Sequence, residues 1–311
     1  KGFEEIFYYM PLSRYLNSIL SIFFGDNILG NIFIISFFPI FIFSIINLLL
    51  GIKLAKYLTF LFIFTPIFES FGFTLINYIN FTVDGYGEGI CYLFLILMVY
   101  LFIKNNDKTY FFLLGFFSFL VIGLRPNYIA LILPLFLSYS VYLFKKKESF
   151  DQFYKNILFL IVGGSFIFLI TLHNYVYSNE FVLLIKSENI QNSLHIKLDD
   201  YLGLFLSLLN FDLENTNFTK ILNHLNHYIK IYEIWFMIVL LNLFISLLVN
   251  IHIKIKILSF SLIIIHISYF FFLGDPRYSM GTWLLSFFIF LIIFDKIYLP
   301  YFKRRIFSAK Q

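Results

Sequence analysis

The chain has 311 residues, 60% of them hydrophobic and only 13% charged, with a mean hydropathy of +0.85. Soluble chains carry about 25% charged residues, so a soluble globular fold is excluded, while 46 Phe and 22 Tyr beside only 15 Gly and 7 Pro exclude a disordered or collagen-like chain. The formal charge of +5 does not point to nucleic acid, because the basic residues sit in short clusters between apolar runs, where a membrane surface is the simpler partner.

A hydrocarbon core of about 30 Å takes roughly 20 apolar residues per helix. Nine runs follow one another along the chain, at about residues 28–50, 57–79, 88–104, 109–125, 127–144, 156–177, 232–251, 257–273 and 280–298, each bounded by charge, Gly, Pro or Asn. The expected fold class is therefore an all-α, polytopic integral membrane protein with about nine transmembrane helices. Its expected organisation is an N-terminal transmembrane bundle over 1–177, an extracytoplasmic and partly helical region over 178–231, and C-terminal transmembrane helices with a basic tail over 232–311. Cys91, the single cysteine, lies inside an apolar run, so it reads as packing and leaves no intrachain disulfide.

The loops alternate in charge. Lys53 and Lys56, Lys104 and Lys108, Lys145 to Lys147 with Lys155, Lys254 and Lys256, and Lys296, Lys303, Arg304, Arg305 and Lys310 make up 15 of the 23 basic residues, all on alternate loops. The positive-inside rule makes these cytoplasmic. The N-terminal 27 residues, the Asp84 loop, the Arg125–Pro126 turn, the 178–231 segment and the Asp275–Arg277 turn then face outside. With the N-terminus outside and no apolar signal segment in residues 1–15, at least one further helix is expected upstream of Lys1.

Charges at the outer helix ends are the first candidates for chemistry: Glu4, Glu5, Asp26, Asp84, Glu88, Arg125, Lys186, Glu188, Asp275 and Arg277. Cations in such a set can hold an anionic headgroup while a carboxylate serves as general base. Each also reads as a simple marker of the membrane boundary. Glu69, in the middle of run 57–79, belongs against protein or a water-filled cavity, either as a hydrogen-bonded structural carboxyl or as a functional one. Asn47, Asn77, Asn174 and Asn242 read as interhelical hydrogen-bonding groups. His224 and His227 stand one helical turn apart without a third ligand at metal-site spacing, so no metal is expected. Phosphate-loop, dinucleotide and nucleophile-elbow motifs are absent from the sequence, which removes support for ATP-driven transport and serine hydrolysis.

A series of short motifs carries a resemblance. Pro11-Leu12-Ser13-Arg14-Tyr15 with Phe24-Gly25-Asp26-Asn27, then Thr82-Val83-Asp84-Gly85, Leu124-Arg125-Pro126-Asn127, His173-Asn174-Tyr175 with Glu180-Phe181-Val182-Leu183-Leu184, and Asp275-Pro276-Arg277-Tyr278 occur in this order. Their order is similar to that in the GT-C superfamily of polyprenyl-phosphate-sugar glycosyltransferases, of the protein mannosyltransferase and aminoarabinose transferase type. The resemblance implies a GT-C-like fold in a bacterial cytoplasmic membrane, with an extracytoplasmic active site. It implies a polyprenyl-phosphate-sugar donor, a glycan, lipid or protein acceptor, and no cofactor. Glu4, Glu5 and Asp84 become candidate catalytic carboxylates, and Arg125, His173, Lys186, Asp275, Arg277 and Tyr278 candidate substrate-binding residues. The family's acidic-tyrosine motif precedes the segment matched at Pro11, which places the principal catalytic Asp upstream of residue 1. His173 stands where the family often has Arg, and Met280-Gly281 where it often has Leu-Pro.

Two other readings share the composition. A surface-polysaccharide polymerase is also polytopic with a long late outer loop, but would favour arginine there, whereas 178–231 holds four Lys and no Arg. A lipid or solute transporter would favour internal repeats and paired broken helices, which the sequence does not display.

Overall fold

The computed structural model describes residues 11–64, 75–83, 88–104, 108–145, 150–179, 181, 216–271 and 276–301. Among them all regular structure is helical. The first helix, α1 (Pro11–Phe24), falls where the sequence reading expected an outer loop. Ser13, Arg14, Asn17, Ser18 and Ser21 dilute its hydropathy, yet Leu12, Leu16 and Leu20 recur every four residues and turn inward. Tyr15, Ile19, Ile22 and Phe23 form a second, exposed apolar stripe. A helix with one stripe on protein and another left bare beside polar residues has the pattern of a helix lying in a membrane interface.

Asp26 caps α2 (Asn27–Ile35) by accepting from the Ile28 amide at 2.7 Å. α3 (Phe38–Leu50) follows after a two-residue break, with Pro39 in its first turn, where the missing amide proton is not needed. Gly51, at φ +88°, then reverses the chain into α4 (Ile52–Phe64), a backbone conformation that side chains beyond glycine rarely adopt. α5 (Leu75–Val83) packs on α2 and α6.

The centre of the bundle is α6 (Glu88–Lys104), with 12 of its 17 residues buried. A helix that is apolar all round has no face to give to solvent or lipid and is enclosed by its neighbours. Those neighbours include α2, α3, α5 and α7 (Lys108–Leu124). α7 pairs most closely with α9 (Phe150–Gly164), which a 3-10 turn joins to α10 (Phe168–Ser178). Small residues let these backbones meet: a Cβ on Gly115 would stand 2.2 Å from the Leu160 carbonyl oxygen, and one on Gly163 2.1 Å from that of Phe112.

α8 (Ile129–Lys145) packs on α12 (Ile253–Ser268). Between them in sequence comes α11 (Thr216–Leu248), whose arms Phe218–Tyr232 and Trp235–Leu248 meet at 99°. The last helix, α13 (Pro276–Ile293), continues through a π turn to Tyr298.

Among the described residues four helical stretches are long and apolar enough to cross a membrane: Ile28–Leu50, Pro126–Lys145, Phe150–Tyr177 and Tyr278–Tyr301. The bent α11 makes five if its two arms form one span. These correspond to the expected runs 28–50, 127–144, 156–177, 280–298 and 232–251. The described helices of the other four runs are shorter, at 13 and 9 residues for α4 and α5, 17 each for α6 and α7, and 16 for α12.

The lysines of separate junctions gather at one end of the bundle. Lys254 donates to the Ile103 carbonyl at 3.0 Å and lies 5.7 Å from the centre of the Tyr139 ring, while Lys256 donates to the Leu247 carbonyl at 2.9 Å. His252, in the turn before α12, caps that helix by accepting from the Lys254 amide at 3.2 Å. Desolvation, then the charges of Lys254 and Lys296, hold this imidazole below the usual histidine range. The opposite ends of α6, α7, α12 and α13 carry Glu88, Arg125, Tyr269 and Tyr278.

Candidate functional site

Arg125 ends α7. Pro126 follows it, and a residue before proline is driven out of the helical region, so Arg125 is extended at φ −144°, ψ 95°. Its amide still donates to the Val121 carbonyl at 2.8 Å, and the Tyr128 amide donates back to the Arg125 carbonyl at 3.2 Å. This short 3-10 turn stops one helix and starts the next while leaving the guanidinium at the bundle end.

The guanidinium forms an ion pair with Glu88 in the first turn of α6. The carboxylate is 1% exposed and the arginine side chain 24%, so the pair has a dry anionic side and a wetter cationic side. The positive end of the α6 dipole also favours a carboxylate there. On another side, Arg125 lies 5.3 Å from the centre of the Tyr278 ring, within range of a cation–π contact.

Tyr278 is held from beneath. Its carbonyl accepts from the Tyr269 hydroxyl at 3.1 Å and from the Tyr128 hydroxyl at 3.4 Å. Gly281, one turn along α13, makes room for this: a Cβ there would stand 2.6 Å from the Tyr128 oxygen and 2.7 Å from the Tyr92 ring. Any larger residue at this position would meet two buried tyrosines. Cys91 lies alongside, fully buried, with its thiol directed at the Val121 carbonyl at 3.7 Å. It packs.

Of the expected substrate-binding residues, the fold therefore brings Arg125 and Tyr278 together. His173 belongs to a different group on α10, where Nδ1 shares a 2.6 Å hydrogen bond with the Tyr15 hydroxyl and the ring leans on Tyr177 at 4.7 Å. These three side chains border a cavity of about 400 Å³, otherwise lined by apolar groups such as Leu12, Phe119 and Ile170. Glu4, Glu5, Asp84, Lys186 and Asp275 lie outside the described residues, as do Glu69 and the side chain of Arg277. His224 is buried with Nδ1 3.1 Å from the Phe270 carbonyl oxygen, and the described residues contain no group of three metal-ligating side chains.

Sequence reasoning placed Glu88 among the outer-face charges but gave it no partner and no role, and it overlooked Tyr128 and Tyr269. Nothing local joins Glu88 to Arg125. The usable signal was that an acid opening one apolar run and a base closing the next must lie at the same end of an antiparallel pair.

The arrangement can hold an anion. A partly exposed guanidinium, backed by an aromatic ring and steadied by a buried carboxylate, presents a planar fork suited to phosphate oxygens. Comparison of the chain with protein-family models, curated proteins and solved structures gives no match.

Proposed function

We propose that this chain is a membrane glycosyltransferase that moves a sugar from a polyprenyl-phosphate carrier to a glycan, lipid or protein acceptor. In this reading all nine apolar runs cross the membrane, the lysine-rich end faces the cytoplasm, and the Arg125 end faces outside a bacterial cytoplasmic membrane. The observation that carries the proposal is the meeting of two motif segments that are far apart in sequence. The Leu124-Arg125-Pro126-Asn127 motif and Tyr278, the last residue of the later motif, converge through the Arg125–Tyr278 contact and the Tyr128 hydrogen bond to the Tyr278 carbonyl, a pairing separated by 150 residues.

The chemistry is a displacement at the anomeric carbon. An acceptor oxygen forms the new bond as the bond to the carrier phosphate breaks, the acceptor proton passes to a carboxylate, and the polyprenyl phosphate leaves with the bonding pair. Cations beside the departing phosphate lower the barrier by stabilising charge that grows in the transition state. Arg125 and Arg277 take that role. Glu88 orients the Arg125 fork, and Asp84, Glu4, Glu5 or an acid upstream of residue 1 receives the proton. Lys186, His173 and Asp275 contact donor or acceptor. The reaction draws on no nucleotide and no cofactor, and on no nucleic-acid partner.

Equilibrium binding of a polyprenyl-phosphate sugar to the full-length protein tests this. Arg125→Lys and Arg277→Lys keep the charge and lose the planar fork, so each is expected to weaken binding about ten- to a hundredfold. Wild-type affinity in both variants, with normal folding, would overturn the assignment.

A further inference from the structure

His266 stands in the last turn of α12, 1% exposed, in a segment where an ionisable side chain is costly to bury and needs partners. It touches helices on both sides: Nδ1 lies 2.9 Å from the Tyr228 hydroxyl on α11, and Nε2 lies 2.9 Å from the Ser286 hydroxyl on α13. The proton positions follow from the neighbours. Ser286 donates its hydroxyl proton to the Thr282 carbonyl at 2.9 Å, so its oxygen accepts from His266 Nε2–H. In the neutral imidazole Nδ1 is then the acceptor, and Tyr228 donates to it. Both ring nitrogens are engaged.

The same pattern repeats toward the bundle end. Tyr269, close to one turn beyond His266, donates to the Tyr278 carbonyl and lies 2.9 Å from the Thr282 hydroxyl, and Tyr232 is hydrogen-bonded to Ser279. Trp283 fills the space between, stacked on Tyr232 at 4.1 Å and edge-on to His266 at 4.8 Å. Positions 279, 282, 283 and 286 are the i, i+3, i+4 and i+7 face of α13, and all four are engaged by α11 or α12. A helix tied at every turn of one face can neither rotate nor slide without breaking buried hydrogen bonds. Its first turn carries Tyr278.

We propose that His266 is a positioning residue: it fixes the rotation of α13 and so keeps the Tyr278 ring beneath the Arg125 guanidinium. The inference rests on the proposed role of that pair in donor binding, and it explains why a histidine occupies this depth. A hydrophobic residue would pack there, but only a side chain with an acceptor on one edge and a donor on the other joins Tyr228 to Ser286.

The test is a double-mutant cycle on the full-length protein, read in two ways. His266→Leu removes both hydrogen bonds, while His266→Gln keeps an acceptor and a donor. By thermal unfolding, which needs no substrate, His266→Leu combined with Tyr278→Ala is expected to lower the midpoint by clearly less than the two single shifts together, because distant and independent residues would add. By donor binding, His266→Leu is expected to weaken affinity about tenfold, the scale of one lost hydrogen bond, His266→Gln to restore it, and Arg125→Lys to show little further loss when His266→Leu is already present. Additive midpoints, or wild-type donor affinity in folded His266→Leu, would overturn the proposal. If the wild-type protein binds no such donor, the transferase reading falls and the unfolding cycle alone decides the role of His266.

Discussion

Arg125→Met is expected to destabilise the folded chain by about 3–5 kcal/mol, the scale for leaving one member of a buried ion pair without its partner. The reason is the burial of Glu88, whose carboxylate is 1% exposed and would lose its counter-charge where water cannot replace it. The reciprocal change is milder. Glu88→Gln leaves a guanidinium that is 24% exposed and can be partly hydrated, so solvent screening reduces the loss to about 1–2 kcal/mol. The double variant Glu88→Gln with Arg125→Met removes both charges and should recover much of the loss, because a neutral pair no longer carries a buried charge. Equilibrium unfolding in a fixed detergent would measure all three. Equal losses in the two single variants would mean that the pair is solvated on both sides.

The second large effect lies at the crossing of α7 and α9, where two adjacent glycines should behave in opposite ways. A Cβ on Gly163 would stand 2.1 Å from the Phe112 carbonyl oxygen and 2.9 Å from the Phe116 nitrogen. Both are backbone atoms, so the helices themselves must separate. Gly163→Ala is therefore expected to lower stability by about 1–3 kcal/mol, and Gly163→Leu by more. At Gly164 the nearest atom to an added Cβ is the Gly115 oxygen at 3.9 Å, an ordinary contact. Gly164→Ala should be neutral, or stabilising by up to about 1 kcal/mol through helix propensity. Thermal unfolding of the two alanine variants side by side gives the comparison, and similar shifts would contradict the close approach.

Composition and charge carried much of the architecture into view, because apolar runs and their lysine-rich junctions are local features. Run 28–50 is a helical stretch over Ile28–Leu50, and run 280–298 falls within Tyr278–Tyr301. The α1 helix was hidden because its two apolar stripes are interleaved with Ser, Asn and Arg, which lowers a windowed hydropathy although the four-residue spacing is clear. The arm of α11 before Tyr232 was hidden for a related reason. His224, Tyr228 and Tyr232 are polar letters at i, i+4 and i+8, and their partners come only from helix packing.

Of the candidate site, Arg125 and Tyr278 were named from the sequence, but not the pairings around them. Arg125 stood out as an outer-face charge and Tyr278 through the motif resemblance, yet the Glu88 ion pair and the Tyr128 and Tyr269 hydrogen bonds arise only from helix packing. His266 gave no sequence signal beyond being a histidine in an apolar run. What such a residue does depends on the two edges it presents to neighbouring helices, and those edges exist only in three dimensions.

The most direct test of the central claim is sugar transfer itself. The full-length protein would be reconstituted into vesicles with a polyprenyl-phosphate carrier bearing a radiolabelled sugar and with an acceptor glycan on one face. The account predicts labelled acceptor when the glycan is on the face opposite the lysine-rich end, and loss of that product in Arg125→Lys. Absence of transfer by the folded wild-type protein from any such carrier, or wild-type transfer by Arg125→Lys, would contradict it.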